Sequence, residues 1–113
     1  MRRTRWHVPP AEILAALPGP EGTRSAPVFD RGDVRVELYA PRGKDEQRPH
    51  ERDELYIVVS GEGHFLCADT DVTFAPGDLL FVPAGVEHRF EEFGDDLVVW
   101  VVFFGPQGGY GVG

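Results

Sequence analysis

The stretch GDLLFVPAGVEH, residues Gly77–His88, decides the fold of this chain. Its middle, Leu79–Val82, is a short apolar run of the kind that forms buried strands. Turn-forming residues flank that run: Gly77 lies in a tight turn before it, and Pro83 and Gly85 turn the chain after it. A histidine then opens the next run. The stretch predicts short strands joined by tight turns, with a side chain of metal-ligating type where one strand begins.

The same pattern recurs along most of the chain. Its 14 glycines and 10 prolines separate short runs rich in β-branched and aromatic residues. Many short strands with close turns indicate an all-β sandwich or barrel. The predicted strands are Val28–Phe29, Val34–Ala40, Leu55–Ser60, His64–Ala68, Val72–Phe74, Leu79–Val82, His88–Glu92 and Leu97–Phe104.

One short helix is predicted near the N-terminus, in the stretch VPPAEILAALPG. Proline suits the first helical turn, Ile13, Leu14 and Leu17 form one apolar face, and the final Pro-Gly ends the helix. A chain of 113 residues fits one domain. We expect residues 1–26 to form an N-terminal helix and arm, residues 27–104 the barrel, and residues 105–113 a flexible tail.

Charge and cysteine content exclude several classes of function. Against 11 basic residues there are 19 acidic ones, for a formal net charge of −8, so nucleic acid and anionic membranes would be repelled. Cys67 is the only cysteine, and no internal disulfide can form. No apolar run has the form of a secretory signal or the length of a membrane span. We expect a cytoplasmic protein. Arginine outnumbers lysine ten to one, which favours a GC-rich bacterial source.

A second stretch of chemical interest runs from His50 to Glu54, as HERDE, directly before the apolar run LYIVVS. On a straight strand, which rises about 3.3 Å per residue, His50 and Glu54 would lie roughly 13 Å apart. Two ligands of one metal ion, each bonded at about 2 Å, must lie much closer. The chain must therefore bend between these residues if both bind one ion.

The stretch Gly77–His88 resembles the second conserved motif of the cupins. Gly77, Pro83, Gly85 and His88 match the glycine, proline, glycine and histidine of that motif in order and spacing. Glu92 stands where the motif has asparagine.

The earlier stretch resembles the back half of the first cupin motif. His50 matches the second histidine of that motif, Glu54 its glutamate and Gly61 its last glycine. Arg48 stands in place of the first histidine, and Gly43 lies one residue nearer than the pattern requires.

The resemblance implies a cupin-type double-stranded β-helix, a jelly-roll barrel, that brings His50, Glu54 and His88 to one divalent transition metal ion. Three protein ligands leave positions open for water, substrate or oxygen, and this set suits Fe, Zn, Mn or Ni. Arg48 would add positive charge, which weakens metal binding or attracts an anionic substrate. Gln47 is an alternative occupant of the missing histidine's position.

The two-residue period of a strand predicts which side chains line the site. Tyr56 follows Glu54 by two residues and Phe90 follows His88 by two, so each shares a face with a ligand. Trp100 and Arg48 complete the predicted substrate pocket, although the apolar run LVVWVVFF leaves open on which side Trp100 lies.

Two other predictions concern the core. The alternation in the strand beginning at Val34 predicts that Val34, Val36 and Leu38 face the interior of the barrel. Cys67 lies in an apolar strand and is predicted to be a small buried side chain and not a nucleophile.

Three functions follow, of which we favour the first. It is a metal-dependent enzyme of dioxygenase or isomerase type that acts on a small organic molecule, with Glu54 also serving as a proton acceptor. The alternative is a non-catalytic cupin that binds or senses a small ligand, and the third is a structural module in which His50 and His88 are ordinary barrel residues. We expect a homodimer, because strands that are apolar on both faces need a cover.

Overall fold

Eight strands and two short helical segments make up the described chain, residues 7–46 and 48–110 of a computed structural model. Residues 1–6, residue Gln47 and residues 111–113, which include parts of the predicted arm and tail, lie outside the described residues. The all-β class with a short N-terminal helix is confirmed. The elements are α1 Pro10–Leu14, a 3₁₀ turn Pro20–Gly22, β1 Ser25–Arg31, β2 Val34–Tyr39, β3 Asp53–Ser60, β4 Gly63–Cys67, β5 Thr70–Phe74, β6 Leu79–Val82, β7 His88–Glu91 and β8 Val98–Phe104.

The strands form two antiparallel sheets. One has the order β1-β2-β8-β3-β6 and the other the order β5-β4-β7. β3 lies inside the larger sheet, between β8 and β6, and β7 lies at one edge of the smaller sheet, beside β4. Glu54 of the first motif therefore lies in the larger sheet, on β3, whereas His88 of the second motif lies in the smaller sheet, at the start of β7.

Two apolar clusters hold these layers together. The inner cluster lies between the sheets, and it is formed by Tyr56, Val58, Phe65, Phe74, Val82, Phe90, Leu97, Val99 and Val101. The outer cluster contains Leu38, Ala40 and Val98, and Ile13 and Leu14 of the N-terminal helix, with Leu17 just after it, pack on this cluster. Alternate residues of β8 thus serve different clusters, as the two faces of a strand require.

The predicted orientation of β2 was wrong. Leu38 is fully buried, but it belongs to the outer cluster under the helix. Arg35 is instead the cross-strand partner of Phe103, which packs against the inner cluster, and directly paired residues share one face of a sheet. The helix supplies the apolar cover, so the apolar side of β2 faces outward and its polar side faces the interior.

The helix covers only part of the outer face of the larger sheet. A row of directly paired residues crosses that face in the order Leu38, Trp100, Ile57, Leu79. Leu38 is buried and Trp100 half-buried, whereas Ile57 is 39% and Leu79 62% exposed. Phe81, also on β6, is 51% exposed. The exposed end of this row is an apolar patch at the β6 edge.

Gly61, the last glycine of the first motif, has a local structural role. Its φ is +93°, and a Cβ atom there would lie 2.7 Å from the Cα atom of Leu97. Only glycine combines that backbone conformation with so close an approach. This residue therefore allows the end of β3 to pass directly beside the start of β8.

Asp45 joins the loop before β3 to both sheets. Its buried carboxylate accepts hydrogen bonds from the Tyr39 hydroxyl, at 2.6 Å, and from the Phe90 backbone N–H, at 2.9 Å. Burial and this bond to Asp45 raise the pKa of Tyr39, so its hydroxyl remains a donor. Asp45 therefore links β2 in the larger sheet to β7 in the smaller one.

We expect Asp45→Ala to lower the free energy of unfolding by roughly 2–4 kcal/mol, because it removes two hydrogen bonds and leaves a buried N–H group without an acceptor. Urea denaturation measures the change. Glu46→Ala is the matched control, since Glu46 forms an ion pair with Lys44 in which both side chains are highly exposed; it should leave the free energy of unfolding nearly unchanged. Equal losses in the two variants would contradict the linking role of Asp45.

Candidate metal centre

The chain bends between His50 and Glu54, as two ligands of one ion require. The bend lies at Glu51 and Arg52, and backbone hydrogen bonds hold it in place. The His50 carbonyl accepts from the N–H of Gly85 at 2.7 Å, and the Glu51 carbonyl accepts from the N–H of Gly108 at 2.6 Å. As a result, His50 Nε2 lies 3.8 Å from Glu54 Oε1.

Side chains of the bend and of the residue after it also hold it in place. Asp53 is buried, and its carboxylate accepts a hydrogen bond from the Ala84 N–H at 2.9 Å. Arg52 Nε donates to the Gly105 carbonyl at 3.0 Å. The end of the second motif and the segment after β8 thus fix the position of His50.

His88, the first residue of β7, is oriented by the backbone before it. Its Nδ1 lies 2.9 Å from the Val86 carbonyl, which can only accept, so Nδ1 is the donor and Nε2 is left for another partner. Nε2 lies 2.9 Å from Glu54 Oε1 and 3.0 Å from the hydroxyl of Tyr56. A metal-binding histidine needs this arrangement, in which one nitrogen is held and the other is presented.

The carboxylate of Glu54 is completely buried, and neither oxygen accepts a well-aligned hydrogen bond from a described residue, although His88 Nε2 lies only 2.9 Å from Oε1. A buried carboxylate without donors is costly unless it binds a cation. Ligand atoms of His50, Glu54 and His88 all lie within 4.8 Å of one another. Those separations, and the combination of nitrogen and oxygen ligand atoms, fit a divalent transition metal ion.

The charge of the Glu54 carboxylate affects the ionisation of the neighbouring side chains. Burial lowers the pKa of His88, but the neighbouring Glu54 carboxylate and the Val86 carbonyl raise it by more, and it stands above its ordinary value. Burial and the charge of Glu54 raise the pKa of Cys67, so this thiol lacks the thiolate character of a nucleophile.

The predicted pocket residues lie in different parts of the molecule. Tyr56 is buried and contacts His88, and Phe90 packs edge-on against Tyr56 with ring centroids 5.0 Å apart. Arg48 is exposed. Trp100 lies on the outer face of β8 with Leu38, away from the inner cluster that contains Tyr56.

Phe103, which the sequence did not single out, lies beside the ligands. It is the cross-strand partner of Glu54, and its ring meets the His50 ring edge-on at 4.9 Å. A cleft of about 570 Å³ opens here, and it is lined by Arg35, Pro49, His50, Glu51, Arg52, Phe103 and Gln107. Of the three residues in the cluster, His50 alone is appreciably exposed, its side chain at 33%. The cleft therefore borders the cluster on the His50 side.

His64 lies apart from this cluster. Its ring pairs with Asp71 at 2.9 Å and with Glu92 at 3.2 Å, and all three side chains are well exposed. The hydrogen bond to Asp71 raises the pKa of His64. An exposed ion pair of this type has little effect on stability, and His64 provides a comparison for the histidines of the site.

Fold and site together define a two-sheet β-barrel protein with a buried cluster of two histidines and a glutamate. The chain belongs to the cupin family: residues 35–104 match the model of the cupin domain. Within the described residues, no helix is both long and apolar enough to cross a membrane.

The relatives of the chain include proteins with named activities. An uncharacterised protein of Streptomyces coelicolor is 43% identical over 77 residues, which cover 66% of this chain and 73% of that protein. Mannose-6-phosphate isomerase 2 of Arabidopsis thaliana is 38% identical over 67% of this chain, and an acireductone dioxygenase of Bacillus velezensis is 38% identical over 54%. The matches span only 18% and 38% of these two enzymes.

Solved structures share the fold. A cupin superfamily protein of Desulfitobacterium hafniense superposes with a TM-score of 0.66 at 18% identity, covering 89% of this chain and 93% of that one. A protein of Neisseria meningitidis gives the same TM-score at 20% identity, with 88% and 99% covered.

We expect Glu54→Gln to stabilise the metal-free protein by about 1 kcal/mol, because it removes a buried charge that no described donor satisfies. The same change should weaken binding of Zn(II) or Fe(II) more than about 100-fold, since it removes the anionic ligand. Urea denaturation after chelator treatment and titration with the metal measure the two effects.

Glu62→Gln is the matched control, because Glu62 is exposed in the turn between β3 and β4; it should change neither quantity. A Glu54→Gln variant that binds metal like the parent protein would contradict the assignment of Glu54 as a ligand.

Proposed function

We propose that this protein is a metal-dependent cupin enzyme, of dioxygenase or isomerase type, that acts on a small organic molecule. The observation that carries the proposal is the buried Glu54 carboxylate, which has no hydrogen-bond donor among the described residues and lies between two imidazoles. A structural role alone gives no reason to retain so costly a group. His50, Glu54 and His88 would hold one divalent ion.

Bound at these residues, a divalent metal would polarise an oxygen atom of the substrate or, as Fe(II), activate dioxygen. The protein's own contribution is to orient the substrate and to limit the access of water. Glu54 and His88 have fully buried side chains, whereas His50 borders the cleft. A substrate would therefore approach from the His50 side.

The cleft has the composition expected for a small oxygen-rich substrate. Arg35, Arg52 and Gln107 line the cleft with side chains that carry N–H groups, of which the Gln107 amide donates to Glu51 of the same lining, and Phe103 provides an apolar wall. Arg35 is held by Glu37, whose carboxylate lies 2.7 Å from its Nε. Sugar phosphates and enediols, which the names of the relatives bring into consideration, both carry the oxygen atoms that such donors bind. Glu54 could also accept a proton from a carbon beside a substrate carbonyl.

The protein should purify with, or take up, about one metal ion per chain, and His50→Ala with His88→Ala should abolish this binding. Elemental mass spectrometry measures the content after reconstitution with Fe(II), Mn(II), Ni(II) or Zn(II). His64→Ala is the control, because its imidazole lies outside the cluster. A parent protein that binds none of the four metals would overturn the proposal.

The loaded protein can then be incubated with aldose phosphates and with enediols, with and without oxygen, and the products read by mass spectrometry. Turnover that is lost in the double histidine variant supports the enzyme. Binding of a ligand without any product would favour the non-catalytic, ligand-sensing alternative.

We further propose that the enzyme is a cytoplasmic homodimer that buries the apolar patch at the β6 edge. The helix covers the outer face of the larger sheet near Leu38 but leaves Ile57, Leu79 and Phe81 exposed. β6 is also an edge strand, with backbone groups available for pairing. A second copy offers the same patch and the same edge, which a two-fold interface pairs with each other.

We expect Phe81→Lys with Leu79→Lys to convert a dimer into a monomer, because two charges would have to be buried in the interface. Light scattering coupled to size exclusion measures the mass. Val72→Lys is the control, since Val72 is a similarly exposed apolar residue on the other sheet. A parent protein of monomer mass would contradict the interface.

A further inference from the structure

The hydroxyl of Tyr56 reaches His88, one of the three proposed ligands. Tyr56 follows Glu54 by two residues on β3 and is completely buried. Its hydroxyl lies 3.0 Å from His88 Nε2, the nitrogen that also lies 2.9 Å from Glu54 Oε1. Two oxygen donors from one strand therefore meet the presented nitrogen of His88.

We propose that the Tyr56 oxygen is a fourth metal ligand. The proposal rests on the metal site proposed above. Arg48, which takes the place of the first motif histidine, is exposed and offers only donors, so it cannot bind a cation. Tyr56 instead supplies the missing ligand atom, its phenolic oxygen, from the interior of the barrel. The hydroxyl proton passes to solvent when the metal binds.

The distances support a shared ion. Ligand atoms bonded at about 2.0–2.2 Å to one metal lie roughly 2.9–4.3 Å from one another. The separations here are 2.9 Å from His88 Nε2 to Glu54, 3.0 Å from the same nitrogen to Tyr56, and 3.8 Å from His50 Nε2 to Glu54. All three fall within the range for a common ion.

Aromatic packing keeps the Tyr56 hydroxyl at this point. The ring meets Phe90 edge-on at 5.0 Å and Phe65 edge-on at 5.7 Å, and both neighbours are buried. Turning the hydroxyl elsewhere would require repacking of the inner cluster, in which even small changes of shape are costly. The ligand position is thus part of the core.

The contact between Tyr56 and His88 has a second interpretation, which predicts the opposite effect of substitution. If the hydroxyl only donates to His88 Nε2, it occupies the lone pair that a metal needs, and Tyr56→Phe would leave metal affinity unchanged or increase it. If it is a ligand, Tyr56→Phe must weaken binding. The sign of the change separates the two interpretations.

The experiment uses the full chain loaded with Fe(III) or Cu(II), on which a bound phenolate gives a visible charge-transfer band. The chain has three tyrosines, and the double variant Tyr39→Phe, Tyr110→Phe leaves only Tyr56. We expect this double variant to keep the band. Tyr56→Phe should lose it and should bind Zn(II) at least 10-fold more weakly in competition with a chelator.

The double variant is the matched control, because the Tyr39 hydroxyl binds Asp45 and Tyr110 is 65% exposed. The band is read in proteins that retain Tyr56, so the test does not depend on the stability of Tyr56→Phe. Metal binding without the band, or with undiminished affinity in Tyr56→Phe, would overturn the fourth ligand and leave the three-ligand site intact. A parent protein that binds no metal would overturn both proposals.

Discussion

The buried carboxylate of Glu54 is the constraint on which the arrangement of this protein depends. It extends from the central strand pair of the larger sheet towards His88, the first residue of a strand in the smaller sheet. The two sheets must approach closely enough for this contact, and the chain before β3 must bend to bring His50 to the same oxygen. Because neither carboxylate oxygen has a described hydrogen-bond donor, the barrel is organised around a group that is costly for the fold by itself.

The two faces of the larger sheet have different roles, one in stability and one in the chemistry of the site. The outer face contains Leu38 and Trp100 and is covered in part by the N-terminal helix. The inner face combines an apolar cluster around Tyr56 with a polar region, where Arg35, Phe103 and Glu54 form one cross-strand row. The same strands therefore support both a packed core and a polar site.

Much of the fold could be predicted from the sequence, since short strands and their turns are local properties. Gly77, Pro83 and Gly85 mark turns wherever they lie, and β6 has the predicted ends. Which side of β2 faces the interior of the barrel could not be predicted in this way. Alternation shows that one side of a strand is apolar, but the identity of the element that covers it depends on residues distant in sequence, here Ile13, Leu14 and Leu17. The same limit applies to Trp100, in a run where both sides are apolar.

The cluster of His50, Glu54 and His88 could be predicted from the sequence only through its resemblance to the cupin motifs. Strand geometry alone separates His50 from Glu54 by roughly 13 Å, and the bend that removes this distance is held by hydrogen bonds to Gly85 and Gly108, far along the chain. The local sequence did not indicate that Phe103 and Arg35 line the cleft, because their positions follow from strand pairing and not from local pattern. Tyr56 was visible through its two-residue spacing from Glu54, yet its role depends on a 3.0 Å contact with His88. Spacing along a strand identifies the face of a residue, and only the opposite sheet decides what its side chain meets there.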